Sequence, residues 1–133
     1  MKQIGIRVLT GVCFIALVLF GSSAVAAASD QQWQVGSGGV QRATANFDDA
    51  ANRVYVHDNQ TDNGYARMDI WRIGNKGGTH VVCKAASDGE GGLPKNNNCP
   101  LIWVEDTHLD GELCWFRDGT GKLACSDVKD FFS

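Results

Sequence analysis

The chain has 133 residues, with 12 Lys and Arg against 15 Asp and Glu, a formal net charge of −3 and five cysteines. This mild acidity excludes general nucleic-acid binding, which needs clustered cations to displace counterions. No polybasic helix is present to hold the chain on a membrane surface.

Residues 1–28 have the three-part layout of a secretory signal peptide. Lys2 and Arg7 open it, residues 8–20 are almost wholly apolar, and small residues run from Gly21 to Ala28. Ala24-x-Ala26 or Ala26-x-Ala28 is the expected cleavage signal, so the exported chain should begin within Ala27 to Ser29. The apolar run is shorter than the ~20 residues that cross a bilayer, which argues against an anchor. Cys13 lies inside that run after Val12, not after Gly or Ala, and does not read as a lipid-modified cysteine. Loss of the segment leaves ten basic and fifteen acidic side chains, a net charge of about −5. Residues 29–133 then form one domain, of a size at which burial alone gives marginal stability.

Beyond the signal no long stretch has apolar residues at helical spacing. Short β-rich runs, broken by turn residues at intervals near ten, predict strands at 40–47, 53–57, 65–73, 79–84, 101–105, 112–117 and 122–128. About seven such strands indicate an all-β fold, a small antiparallel sandwich. Val54 and Val56 alternate with Arg53, Tyr55 and His57, so the second strand should have one wet face.

Four cysteines remain after cleavage, Cys83, Cys99, Cys114 and Cys125, and an even number in a short exported chain reads as disulfides. The turn Asp118-Gly119-Thr120-Gly121 sets Cys114 opposite Cys125, Trp115 opposite Ala124 and Phe116 opposite Leu123, at a separation a disulfide bridges. Cys83 and Cys99 then pair with each other. A zinc site is disfavoured because there is no CxxC pair. If Cys114, Phe116, Leu123 and Cys125 face the core, Trp115 points outward beside Arg117 and Lys122. The opposite arrangement puts Trp115 in the core and the disulfide outside. Trp71 and Trp103, in apolar runs, are expected to be core.

From about Phe47 to Ser126 the chain resembles a group of small, secreted, largely uncharacterised actinobacterial β-sandwich proteins. The shared features are an Asp and turn after an early strand (Asp58 to Gly64), a Gly/Asn-rich stretch between two cysteines (Cys83 and Cys99), an acidic-Gly turn (Asp110-Gly111) and a final cysteine pair (Cys114 and Cys125). The chain has Asp62-Asn63-Gly64 where that group usually has Asp-Gly. The resemblance implies a β-sandwich and secretion, and no reaction.

Candidate chemistry is sparse. There is no Gly-x-Ser-x-Gly and no HExxH. Glu105 with His108 has the residue types of a small secreted ribonuclease, without the basic cluster that a phosphate needs. The Asp58 to Gly64 loop and the loop carrying Asp88, Glu90 and the Asn96 to Asn98 run hold calcium-type oxygens. The first misses EF-hand spacing, and Asp, Asn and Gly are ordinary turn residues. Asn59-Gln60-Thr61 matches a glycosylation sequon.

The expectation is therefore an exported, monomeric, non-catalytic module without cofactor or metal, binding a protein, glycan or cell-wall surface or inhibiting an enzyme. An exposed Trp115 with Arg117 would form its recognition surface, since rigid aromatics and arginine dominate interfaces. The alternative is a small secreted hydrolase or antagonistic toxin.

Overall fold

The computed structural model describes residues 30–133; the predicted signal segment lies outside them. The described chain is all-β, with nine strands in two antiparallel sheets. Sheet A has the order β1 (Gln31–Ser37), β2 (Val40–Asp48), β3 (Arg53–Asp58) and β6 (Asn96–Pro100). Sheet B has the order β5 (His80–Ala85), β4 (Gly64–Arg72), β7 (His108–Arg117) and β8 (Gly121–Cys125). Strand β9 (Lys129–Phe132) pairs with the first half of β7.

The core lies between the sheets and follows period-2 alternation. Sheet A contributes Trp33, Val35, Ala43, Ala45, Phe47, Val54 and Val56; sheet B contributes Ala66, Met68, Ile70, Leu109, Leu113, Trp115 and Phe131. Trp33 meets the Phe131 ring edge-on at 5.5 Å and donates its Nε1–H to the Gly111 carbonyl at 3.0 Å. A Cβ on Gly111 would stand 2.6 Å from Met68 and 2.8 Å from Trp33, so only glycine lets the indole lie against β7.

Two disulfides join the expected partners, Cys83–Cys99 and Cys114–Cys125. The first ties β5 of sheet B to β6 of sheet A, and the second bridges the β7–β8 hairpin. Disulfides of this kind belong to an oxidising environment.

Several expectations are corrected. Residues 101–105 form no strand; the preceding run, Asn96–Pro100, pairs with β3 instead, with Cys99 opposite Val54. Leu101 is buried, Trp103 packs only partly against the core, and Ile102 and Val104 stand exposed. β1 and β9 extend the sheets where the sequence reading placed no strand. In the last hairpin Cys114 faces Cys125 and Trp115 faces Ala124 as expected, but a bulge after Trp115 sets Phe116 opposite Lys122 rather than Leu123. Trp71 is buried as expected, yet outside the central core cluster. It stacks on His80 at 5.3 Å, with the Lys76 ammonium 4.8 Å from its ring.

Candidate functional site

The hairpin chosen from sequence does not present Trp115 to solvent. Trp115 is 1% exposed and sits in the core with Leu109 and Leu113. Of the two arrangements, the one with the disulfide outside is found, because β7 runs from His108 and its residues Leu109, Leu113 and Trp115 share the inner face. Arg117 is exposed at the strand end, and its guanidinium lies 5.3 Å from the Trp115 ring centroid. Arg42 approaches the same ring at 4.8 Å. These cations cap a core residue at the end of the sandwich.

Beside them the two oxygen-rich loops meet. Asp58 ends β3 fully buried and accepts the Ser87 N–H at 2.7 Å and the Gln60 N–H at 3.3 Å. Asp88 accepts the Asn63 N–H at 2.9 Å, and Asp118 N–H donates to the Asn63 carbonyl at 2.9 Å. Asp62 is paired with Arg42. Burial pushes the Asp58 carboxyl above its ordinary value, with Asp62 and Asp88 adding to the rise while the two N–H bonds oppose it. Glu90 is also raised, by desolvation first and then by Asp118, Asp88 and a hydrogen bond to Asp118. Asp62, Asp88, Glu90 and Asp118 are the oxygen types a hard cation takes. Asp88 accepts the N–H groups of Asn63 and Glu90, Asp118 accepts the Gly119 N–H and Asp62 takes Arg42, bonds that sew three loops together. Asp62 Oδ1 and Glu90 Oε2 are buried without a hydrogen-bond partner among the described residues. Gly64 completes the junction: a Cβ there would lie 2.6 Å from the Phe116 carbonyl and 2.7 Å from Trp115 Nε1.

Glu105 and His108 make no hydrogen bond with each other among the described residues. His108 Nε2 lies 3.2 Å from Asp130 Oδ2 and its ring stacks on Phe132 at 4.4 Å. His80 lies against Asp69 and Trp71. The sequon residue Asn59 spends its carboxamide N–H on Gln41 Oε1 at 3.0 Å.

A different surface emerges on the outer side of sheet A. The strand registers bring eight side chains into two cross-strand rows. One row is Gln32, Asn46, Tyr55 and Asn98; the next is Gln34, Thr44, His57 and Asn96. No carboxylate, lysine or arginine stands in either row. Tyr55 is 37% exposed, and Asn96 and His57 are hydrogen-bonded to each other. Arg53, two residues before Tyr55 on β3, gives its Nε–H to Asn98 Oδ1 at 2.9 Å. Thr44, Asn46, Tyr55, His57, Asn96 and Asn98 line one open groove.

Tyr55 and His57 were read from sequence as a wet face, but the rows themselves were not visible. Gln32 and Gln34 precede the first predicted strand, and the Asn96 to Asn98 run reads as a loop until its pairing with β3 is known. Comparison with family models, curated proteins and solved structures found no match.

Proposed function

We propose that the chain is a small exported, non-catalytic binding module whose recognition surface is the outer face of sheet A. One observation carries this reading: five of the eight side chains in the two rows, those of Gln32, Gln34, Thr44, Asn46 and Tyr55, make no hydrogen bond within the described residues. The sheet fixes their backbones in register and leaves their polar groups at the surface, free to meet a partner. The signal segment and the two disulfides support export, and the partner is then an extracellular protein, glycan or cell-wall surface. Intact-mass measurement of the exported protein tests the first half: an N-terminus within Ala27 to Ser29 is expected, and retention of residues 8–20 overturns secretion.

The second half is tested by pull-down of the mature protein against cell-wall fractions and culture supernatant. Asn46→Arg and Tyr55→Ala should each abolish a specific capture, while Lys122→Ala on sheet B leaves it intact. A capture indifferent to both sheet A variants overturns the assignment of this face.

A further inference from the structure

Resting on sheet A's outer face as the recognition surface, we infer that its ligand is a neutral polysaccharide. Charge is the first reason. The two rows contain no ionic side chain of the lysine, arginine or carboxylate type, so a nucleic acid, a uronate polymer or a phosphate-bearing polymer would lose hydration there with no counter-charge to replace it. Arg53, in the adjoining row, lies opposite Asp48 and gives its Nε–H to Asn98 Oδ1.

Apolar content is the second. A protein interface is organised around a desolvated apolar or aromatic centre. These rows offer one large ring, Tyr55, surrounded by amides and a hydroxyl, too little for a protein partner.

The third is the hydrogen-bonding type. Each carboxamide both donates and accepts, as does the threonine hydroxyl. Sugar hydroxyls do the same, so every free group in the rows can be matched whichever way a given hydroxyl turns. Tyr55 lies mid-row between Asn46 and Asn98, which gives a sugar ring an aromatic face with amides on either side. Four strands at ~4.8 Å spacing make a row about 15 Å across, the span of several sugar units rather than one. An open groove admits a polymer passing through it, where a closed pocket would select a chain end.

The test is affinity electrophoresis of the mature protein in native gels containing hydroxyethylcellulose, xylan or galactomannan as neutral probes and polygalacturonate as the charged one. Retardation by at least one neutral polymer is expected, persisting when salt is raised about tenfold, since no ion pair is involved. Tyr55→Ala should weaken it by about tenfold or more while lowering the thermal midpoint by no more than a few degrees. Salt-sensitive retardation by polygalacturonate alone overturns the inference. So does a protein that migrates freely through all the neutral gels, even where Asn46→Arg and Tyr55→Ala abolish wall capture; the face would then stand and its ligand class would be wrong. Retardation indifferent to both variants would remove the face and the ligand together.

Discussion

The two outer faces of this sandwich differ in what their polar groups are doing. On sheet B they are spent on one another. Arg67 pairs with Asp69 at 2.7 Å, Lys76 with Glu112 at 3.3 Å, and Tyr65 stacks on Phe116 at 5.0 Å with the Lys84 ammonium 5.5 Å from its ring. The Cys114–Cys125 bridge lies on the same side. On sheet A the uncharged rows leave most of their hydrogen-bonding capacity unused. The charged face looks busier in sequence, yet its groups complete a structure. Unspent capacity on a rigid sheet is the better pointer to recognition, because a partner gains only what the protein has not already used.

The strongest way to break that contrast is to treat Trp115 as a surface residue. Trp115→Ala should cost about 3–5 kcal/mol of stability, the usual result of truncating a buried indole, as measured by denaturant unfolding. Tyr55→Ala should cost under about 1 kcal/mol, as surface substitutions do. Equal losses at the two positions would mean that the Tyr55 face is packed against something and is not free to bind.

Next come the disulfides. Cys83→Ser with Cys99→Ser removes the covalent tie between the sheets, across a separation of 16 residues; Cys114→Ser with Cys125→Ser opens a hairpin with a separation of 11. Each pair should cost about 2–4 kcal/mol, with the inter-sheet tie the costlier. Cys83 is also buried in the core cluster, whereas Cys114–Cys125 lies outside it. Thermal unfolding of the two double variants gives the order directly. Loss of binding after removal of Cys83–Cys99, with the fold retained, would sharpen the contrast, since β6 supplies Asn96 and Asn98 to the sheet A rows.

The sequence carried much of this. Apolar alternation located β2 to β5, and the turn after Arg117 set Cys114 against Cys125. Which face was inner was harder. Period-2 alternation puts Cys114 and Trp115 on opposite sides without saying which side is the core. The answer lies upstream: Leu109, Gly111 and Leu113 share Trp115's parity, while Asp110 and Glu112 share that of Cys114. A strand taken from residue 112 contains little of that alternation. β1 and β6 were hidden differently. Gln31 to Gln34 carries one apolar residue, Trp33, among glutamines and Asn96 to Asn98 is a poor strand former, and both are strands because β2 and β3 offer them a ladder. Half of the eight side chains in the proposed recognition rows come from these two segments, so the part of the molecule to which recognition is proposed is also the part whose local sequence says least about its structure.

A smaller effect tests whether sheet B is as self-contained as its pairings suggest. Lys76→Ala removes the ammonium from above Trp71 and from Glu112. A loss of about 1 kcal/mol or less is expected, the size of an exposed cation–π contact and a surface ion pair. Tryptophan fluorescence should report a more exposed Trp71, and capture by the sheet A partner should be unchanged. A lost capture would place recognition on sheet B.

The smallest effect concerns the acidic junction, where carboxylates from three loops meet and Asp62 takes the Arg42 guanidinium. Asp58 is fully buried and its folded-state pKa lies above the 3.8 of the free group, through desolvation first and then the charges of Asp62 and Asp88. A raised pKa means that the fold prefers the protonated carboxyl. The associated stability is fully present below pH 3.8 and is lost as pH rises through the folded-state value. Asp58→Asn keeps a carbonyl for the 2.7 Å bond from Ser87 N–H and gives up at most the longer one from Gln60. It also removes a charge that pays desolvation at neutral pH. The variant should therefore lose less stability than the wild type between pH 4 and pH 7, in urea titrations repeated across that range. The sheet A rows contain no carboxylate, so glycan capture by the variant should match that of the wild type at pH 7. A variant with the full wild-type slope would mean that ionised Asp58 is stabilised by its two N–H donors, and that the junction, like sheet B, has already matched its charges internally.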